Sequence, residues 1–362
     1  MALFLFILIL AALILVHELG HFAVAKFFKI RVEEFGIGFP PRLLKIKRGE
    51  TVYSFNLLFF GGFVKIFGED HNEAAGNPRS FANKPRAIQA AVVAAGIVMN
   101  LLFAWVLLSA GYMVGMPTST GDRAPGQVTD AKVLVVGLLP DSPAAKSGVL
   151  PEDVIVGVAT AAVTAPAGLK AEEVRAFIKE HQEESIILSV MRGGEEEKTF
   201  VVRGAEGLIE GRKALGVELD DIGTLKLPPH LALIEGAKLT YRATVSTALG
   251  LGAFFSQIVR GAADFSGVAG PIGIAGIGAK AVHSGWVSAL TLAAIISINL
   301  ALINLLPIPG LDGGRLLIIA IEGVIRRPVP QRLSMTITVI GFALLITLML
   351  VVSYHDIARL VG

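Results

Sequence analysis

The chain has 362 residues, 53% of them hydrophobic and 17% charged, and its mean hydropathy of +0.68 excludes an ordinary soluble enzyme with a fully solvated surface. A net charge of +2 excludes the broad basic footprint of a nucleic-acid binder, so no nucleic-acid partner is expected. The absence of cysteine removes disulfides, thiolate ligands and a cysteine nucleophile together, leaving histidine and carboxylate to hold any metal.

Residues 1–29 predict a first transmembrane helix. Ala2 to Ala25 exceeds the roughly 20 apolar residues that cross a hydrocarbon core. It has no basic leader and no small-residue cleavage pattern, so it reads as a retained span and not a removed signal peptide. Within it, His17-Glu18-Leu19-Gly20-His21 is an HExxH motif. Both imidazoles fall on one helix face, where they can grip one zinc ion, and Glu18 lies beside them to deprotonate water. The motif alone is moderately specific, and on a soluble helix it could be a polar patch. Inside a span the bland reading fails, because an ionisable side chain at the bilayer centre costs roughly 2.5–3.5 kcal/mol unless it is paired or ligating.

Residues 30–86 form a loop rich in Lys and Arg, cytoplasmic by the positive-inside rule, in which Thr51 to Ile66 alternates like a strand and carries Gly61-Gly62. Residues 87–116 predict a second span. From 117 to 229 charges return and alternating segments flank turns such as Arg192-Gly193-Gly194-Glu195, as in a small soluble domain outside the cytoplasm. The run Val133 to Val136, then Asp141-Ser142-Pro143 through Gly148-Val149, then Glu152-Asp153-Val154-Ile155 resembles a bacterial PDZ domain, with Ala171 to His181 as its groove helix. The Ala-rich stretch Ala159 to Ala167 replaces the Asn-Gly usual there.

Residues 230–286 predict an amphipathic helix on the outer membrane surface plus a connector. Glu235, Lys238, Arg242 and Ser246 recur at helical spacing, with Gly250 and Gly252 weakening the helix further on. A third span over 287–325 is broken between Pro307 and Gly314, and a fourth lies within 326–362, from Met335 to Val352.

A catalytic zinc takes three protein ligands and keeps one open position. The nearby third histidine of other HExxH enzymes is absent, since Val24 and Phe27 stand in its signature. His71, His181, His230, His283 and His355 fall in loops, the outer domain or span edges. By elimination Asp312, in the broken third span, is the best candidate for the third ligand. Irregular backbone at membrane depth survives where it is buried in protein or lines a wet cavity.

HExxH in the first span, the PDZ-like insert and Asn304…Pro307-x-Pro309-x-Leu311-Asp312-Gly313 together resemble the site-2 protease family, and within it the branch of the bacterial regulator of sigma-E protease. Gly61-Gly62-Phe63-Val64-Lys65 resembles the family's membrane-re-entrant β-loop, and Gly96…Asn100 the Gly…Asn of its second span. One PDZ-like unit is found where well-known members carry two. The resemblance implies a polytopic α-helical membrane protein of about four spans with a membrane-associated β-loop and an inserted PDZ-like α+β domain. It implies a bacterial cytoplasmic membrane location, His17, His21 and Asp312 as Zn2+ ligands, Glu18 as general base, and Asn304 holding substrate. Main-chain pairing along Gly61, Gly62 and Phe63 would present an unwound segment of a single-pass membrane protein, such as an anti-sigma factor or a remnant signal peptide, for cleavage within the lipid bilayer. A metal transporter or a silent scaffold displaying the PDZ-like domain are the competing readings. The first does not account for the insert or for Glu18, and the second does not account for an intact Glu18.

Overall fold

The computed structural model describes residues 2–69, 76–121, 127–166, 168–194, 196–209, 212–262, 270–327 and 329–361. His71, Ala167 and Glu195 lie outside the described residues, as do the side chains of Arg332 and His355. The chain divides into two compact units, Met1–Met113 with Pro228–Gly362, and Val114–Leu227.

The first unit opens with helix α1 (Ala2–Phe27), which buries Leu13, His17, Gly20 and Ala25. Strands β1 (Val32–Arg48) and β2 (Thr51–Ile66) follow. Strand β2 spans the segment expected to be strand-like, and the bent halves of β1 and β2 pair alternately within one sheet. Glu34 pairs with both Val52 and Lys65, Ile37 pairs with both Phe55 and Gly62, and Leu44 to Arg48 run back along Phe55 to Thr51. Pro40 and Pro41 sit at the bend of β1, where a missing N–H cannot continue a ladder. Buried Thr51 and Asn56 tie β2 to β1 by donating to the carbonyls of Val32 and Gly38, each at 2.9 Å. Helix α2 (Arg86–Val114) completes this half.

The second unit comprises β3 (Met116–Ser119), β4 (Thr129–Leu138), α3 (Pro143–Ser147), β5 (Val154–Ala159), α4 (Ala171–Glu180), β6 (Ser185–Arg192), β7 (Glu196–Arg203), β8 (Ala205–Ile209), β9 (Arg212–Ala214) and β10 (Val217–Leu225). Six strands form one sheet in the order β3-β10-β4-β5-β6-β7, and β8 and β9 form a separate hairpin. Alternation is strict in β6, where Ile186, Leu188 and Val190 are fully buried and meet Val133, Val135 and Val202 in the core. Ser142 caps α3 by accepting from the Ala145 N–H, with Pro143 in its first turn and left-handed Gly148 ending it.

Asp153 is buried and receives two hydrogen bonds of 2.7 Å from Arg192. Burial works to raise its carboxyl pKa, but the Arg192 guanidinium and the Leu150 N–H outweigh it and hold the group below the usual carboxylate range. A depressed folded pKa contributes stability that is present above the unfolded value of about 3.9 and lost as pH falls through the folded one. Arg192→Met therefore leaves a buried carboxylate without its partner and is expected to destabilise this unit by about 3 kcal/mol near neutral pH. The penalty shrinks as pH falls, beginning above the ordinary carboxylate range, because burial without Arg192 raises the carboxyl pKa and the group then protonates instead of remaining an unpaired charge. Limited proteolysis of Val114–Leu227 in the full chain from neutral to acidic pH reads both effects.

The first unit resumes with α5 (Pro229–Val259), α6 (Pro271–His283), α7 (Trp286–Leu305), α8 (Asp312–Ile325) and α9 (Gln331–Val361). Gly250 and Gly252 do not break α5, which is a continuous helix of 31 residues. Its Leu233 carbonyl accepts from Trp105 Nε1 at 2.8 Å. Helix α6 was not expected: Gly278 leaves room for the Phe6 ring, and Asp356 of α9 accepts from the Gly270 and Gly273 N–H groups at its start. The break after α7 is also shorter than the sequence implied. It ends at Leu311, and Gly313 and Gly314 already belong to α8. Among the described residues α1, α2 and α7 are long and apolar enough to cross a membrane. Ala25, Ile30, Val32, Ile66, Val92, Val93 and Ile319 join α1, the sheet, α2 and α8 in one apolar cluster.

Candidate metal centre and active site

Helix periodicity brings His17 and His21 to one face of α1, where their Nε2 atoms are 3.1 Å apart. Asp312, in the first turn of α8, places Oδ2 3.0 Å from His17 Nε2 and 3.3 Å from His21 Nε2. This Oδ2 is buried and makes no hydrogen bond of acceptable geometry. Among the described residues these three form the one cluster able to hold a metal ion, with ligand atoms all within 4.8 Å of one another. Ligands bound at about 2.0–2.1 Å around a tetrahedral zinc stand about 3.3 Å apart, so the cluster fits that ion. Zinc would also explain why three lone-pair atoms face one another.

Close helix packing makes the convergence possible. A Cβ on Gly20 would lie 2.8 Å from the Ala95 carbonyl carbon, and one on Gly96 would lie 2.7 Å from Cε1 of both His17 and His21. His21 Nδ1 reaches the Val92 carbonyl oxygen at 2.9 Å, and His17 Nδ1 faces Asn100 Nδ2 at 3.2 Å. Ser297 of α7 donates to the Asn100 carbonyl at 2.8 Å.

Eight residues that the sequence marked as catalytic, metal-binding or substrate-binding line a single cavity of about 460 Å³: His17, Glu18, His21, Gly61, Gly62, Phe63, Asn304 and Asp312. Gly62 and Phe63 pair with Ile37 and Gly36 on one side, and no further strand pairs on their other side among the described residues. Glu18 Cγ is 3.4 Å from the point a Cβ on Gly62 would occupy, so the carboxylate side chain abuts this edge. Sequence reasoning missed Glu69 and Arg315, which also line the cavity and form an ion pair. Arg315 lies one helical turn beyond Asp312, and that spacing was the available signal.

Apolar helices of crossing length around a His, His, carboxylate cluster, with a further carboxylate in the same cavity, are the features of a membrane metallopeptidase. The profile of peptidase family M50 matches residues 5–348. A Nostoc sp. protein classed by name among zinc metalloproteases is 35% identical over 349 residues, covering 94% of this chain and 92% of its own. The zinc metalloprotease RasP of Geobacillus kaustophilus is 30% identical, covering 98% and 97%. The regulator of sigma-W protease RasP of Bacillus subtilis is 26% identical, covering 98% of each chain. The chain belongs to peptidase family M50, the site-2 protease family, and is a zinc metalloprotease of the membrane.

The Gly96 contact yields a direct test. Gly96→Ala drives a methyl into both imidazoles, and the variant is expected to lose most of its bound zinc while α2, which tolerates alanine well, still forms. Metal analysis beside circular dichroism of the purified protein measures the two outcomes separately.

Proposed function

We propose that the protein cleaves transmembrane segments of single-pass membrane proteins within the bilayer, with His17, His21 and Asp312 as the zinc ligands and Glu18 as general base. The observation that carries this reading is the convergence of three ligand atoms in a cavity shared with Glu18 and an unpaired strand edge. Zinc bound there supplies a Lewis acid that polarises water and the scissile carbonyl.

A peptide bond in an intact helix is shielded by packing and by hydrogen bonds to residues four away, so the substrate must unwind. The outer edge at Gly61, Gly62 and Phe63 offers main-chain groups to an extended segment without demanding one sequence. Asn304, at the end of α7 and lining the same cavity, holds that segment by its amide. Glu18, packed against Gly62, takes the proton from the attacking water and returns it to the leaving amine.

Four spans, α1, α2, α7 and the apolar stretch of α9, with α5 on the outer surface, bring His17, His21 and Asp312 to one depth. The basic segments between spans put residues 30–86 in the cytoplasm of a bacterial cell and residues 117–229 outside it. We read the latter as a PDZ-like substrate filter. Helix α4 lies beside β10, where Arg175 donates to the Leu219 carbonyl at 2.7 Å, so a peptide pairing with the first half of β10, which β3 leaves uncovered, must displace Arg175. Anti-sigma factors and remnant signal peptides are substrates of suitable architecture.

Purified enzyme should cut a single-span substrate and stop when zinc is chelated. Glu18→Gln is expected to lower the rate about 10²- to 10⁴-fold while zinc stays bound, because the amide cannot act as base and the residue is not a ligand. Zinc loss from Glu18→Gln would contradict this division between base and ligands. Asp312→Asn should weaken zinc retention and activity together, and full activity in that variant would send the search for a third ligand elsewhere.

A further inference from the structure

Two nitrogens of each imidazole must be accounted for if Nε2 is to bind a metal. A neutral ring has one N–H and one lone pair, so a ligating Nε2 requires the hydrogen on Nδ1. For His21 the requirement is met by its neighbour. Nδ1 lies 2.9 Å from the Val92 carbonyl oxygen, which can only accept, and the Nε2 lone pair is thereby turned to Asp312 and His17.

His17 has a different neighbour. Its Nδ1 stands 3.2 Å from Asn100 Nδ2, and Asn100 Oδ1 is buried with no hydrogen-bond partner. A ligating His17 would then set an N–H donor against an NH2 donor, beside an acceptor left empty. A half-turn of the amide removes both faults, because it brings Oδ1 to the place from which it accepts the Nδ1 hydrogen. Asn100 is itself fully buried, and its backbone carbonyl is fixed by Ser297, so the side chain has little freedom to drift away.

We propose that Asn100 is a positioning residue of the zinc site, whose side-chain oxygen accepts the His17 Nδ1 hydrogen and so commits Nε2 to the metal. Together with the Val92 carbonyl it makes α2 the element that sets both histidines in their ligating form. The proposal rests on the reading of His17 as a zinc ligand. Support of this kind for a ligating histidine is worth about ten- to a hundredfold in metal affinity.

The test is zinc transfer from full-length, zinc-loaded protein in detergent to a chelator of known affinity, for wild type, Asn100→Ala and Asn100→Asp, with thermal unfolding of each metal-free form as the control for folding. Asn100→Ala should bind zinc about ten- to a hundredfold more weakly. Asn100→Asp keeps an oxygen facing Nδ1 and should stay within a few-fold of wild type, which a purely structural role of the amide does not require. Wild-type affinity in Asn100→Ala overturns the proposal, as does an Asn100→Asp protein that loses zinc as readily as the alanine variant. Should Asn100→Ala fail to fold, nitrogen NMR of the histidine-labelled, zinc-loaded wild type decides. Two zinc-bound rings protonated at Nδ1 support the assignment, and a zinc-bound ring protonated at Nε2 overturns it. Wild-type protein that holds no stoichiometric zinc would instead overturn the ligand reading itself.

Discussion

Where α1 crosses α2, Gly20 meets the Ala95 backbone directly and Gly96 leaves room for the two imidazoles, and the rest of the site is built outward from that contact. With hydrogen in place of a methyl at Gly20 and Gly96, the imidazoles lie directly on the second helix. Their inner nitrogens then reach Val92 and Asn100. Polar atoms removed from water need partners, and here the partners come from backbone and amide groups of α2, not from solvent. Asn100 passes the constraint on, because its carbonyl binds Ser297 and so ties α7 to α2. The end of α7 in turn determines where α8 starts, and α8 starts with Asp312.

The break between α7 and α8 follows from the same economy of space. Pro307 and Pro309 interrupt the helix, and a Cβ on Gly313 would overlap the carbonyl oxygens of Leu305 and Leu306, so glycine lets the new helix begin tight against the old one. Such irregular backbone is tolerated within an apolar unit because it borders a cavity. The same unit carries other charges in pairs. Arg315 joins Glu69 beneath the Phe81 ring, and Arg86 meets the buried Glu322 at 2.7 Å. Each pair links a helix to a neighbouring segment, and of the four side chains Glu322 is the buried one, so losing Arg86 would strand a carboxylate away from water.

How far the sequence revealed this arrangement depended on how local the governing interaction was. The HExxH spacing is a property of one helix and could be read directly. Asp312 needed elimination, since nothing local ties it to a histidine nearly 300 residues earlier, but the Pro and Gly around it marked an interrupted span. In the second unit the cap at Ser142 and the alternation of β6 were legible for the same reason. What was missed was tertiary. Helix α6, with its glycines, has little helical signature and is held by Phe6 and Asp356 from distant elements. Strand β1 has exposed Leu44 and Ile46 among basic residues and reads as loop until β2 pairs with it. Asn100 was noticed only through resemblance, because its partner lies on another helix.

In the proposed cleavage, metal and strand edge serve different parts of one task. Cutting a peptide bond needs an extended backbone, a base and an electrophile at one place, and a transmembrane helix offers none of its backbone groups freely. Backbone pairing along Gly61 to Phe63 would supply the extension with little sequence demand, while Glu18 against Gly62 puts the base where that backbone would lie. A Cβ at Gly62 would crowd the Gly36 carbonyl oxygen at 3.1 Å and fill the remaining space beside Glu18. The small residues of this site therefore do more than permit packing: they let substrate backbone, base and ligand cluster share a cavity that an ordinary helix interface would fill.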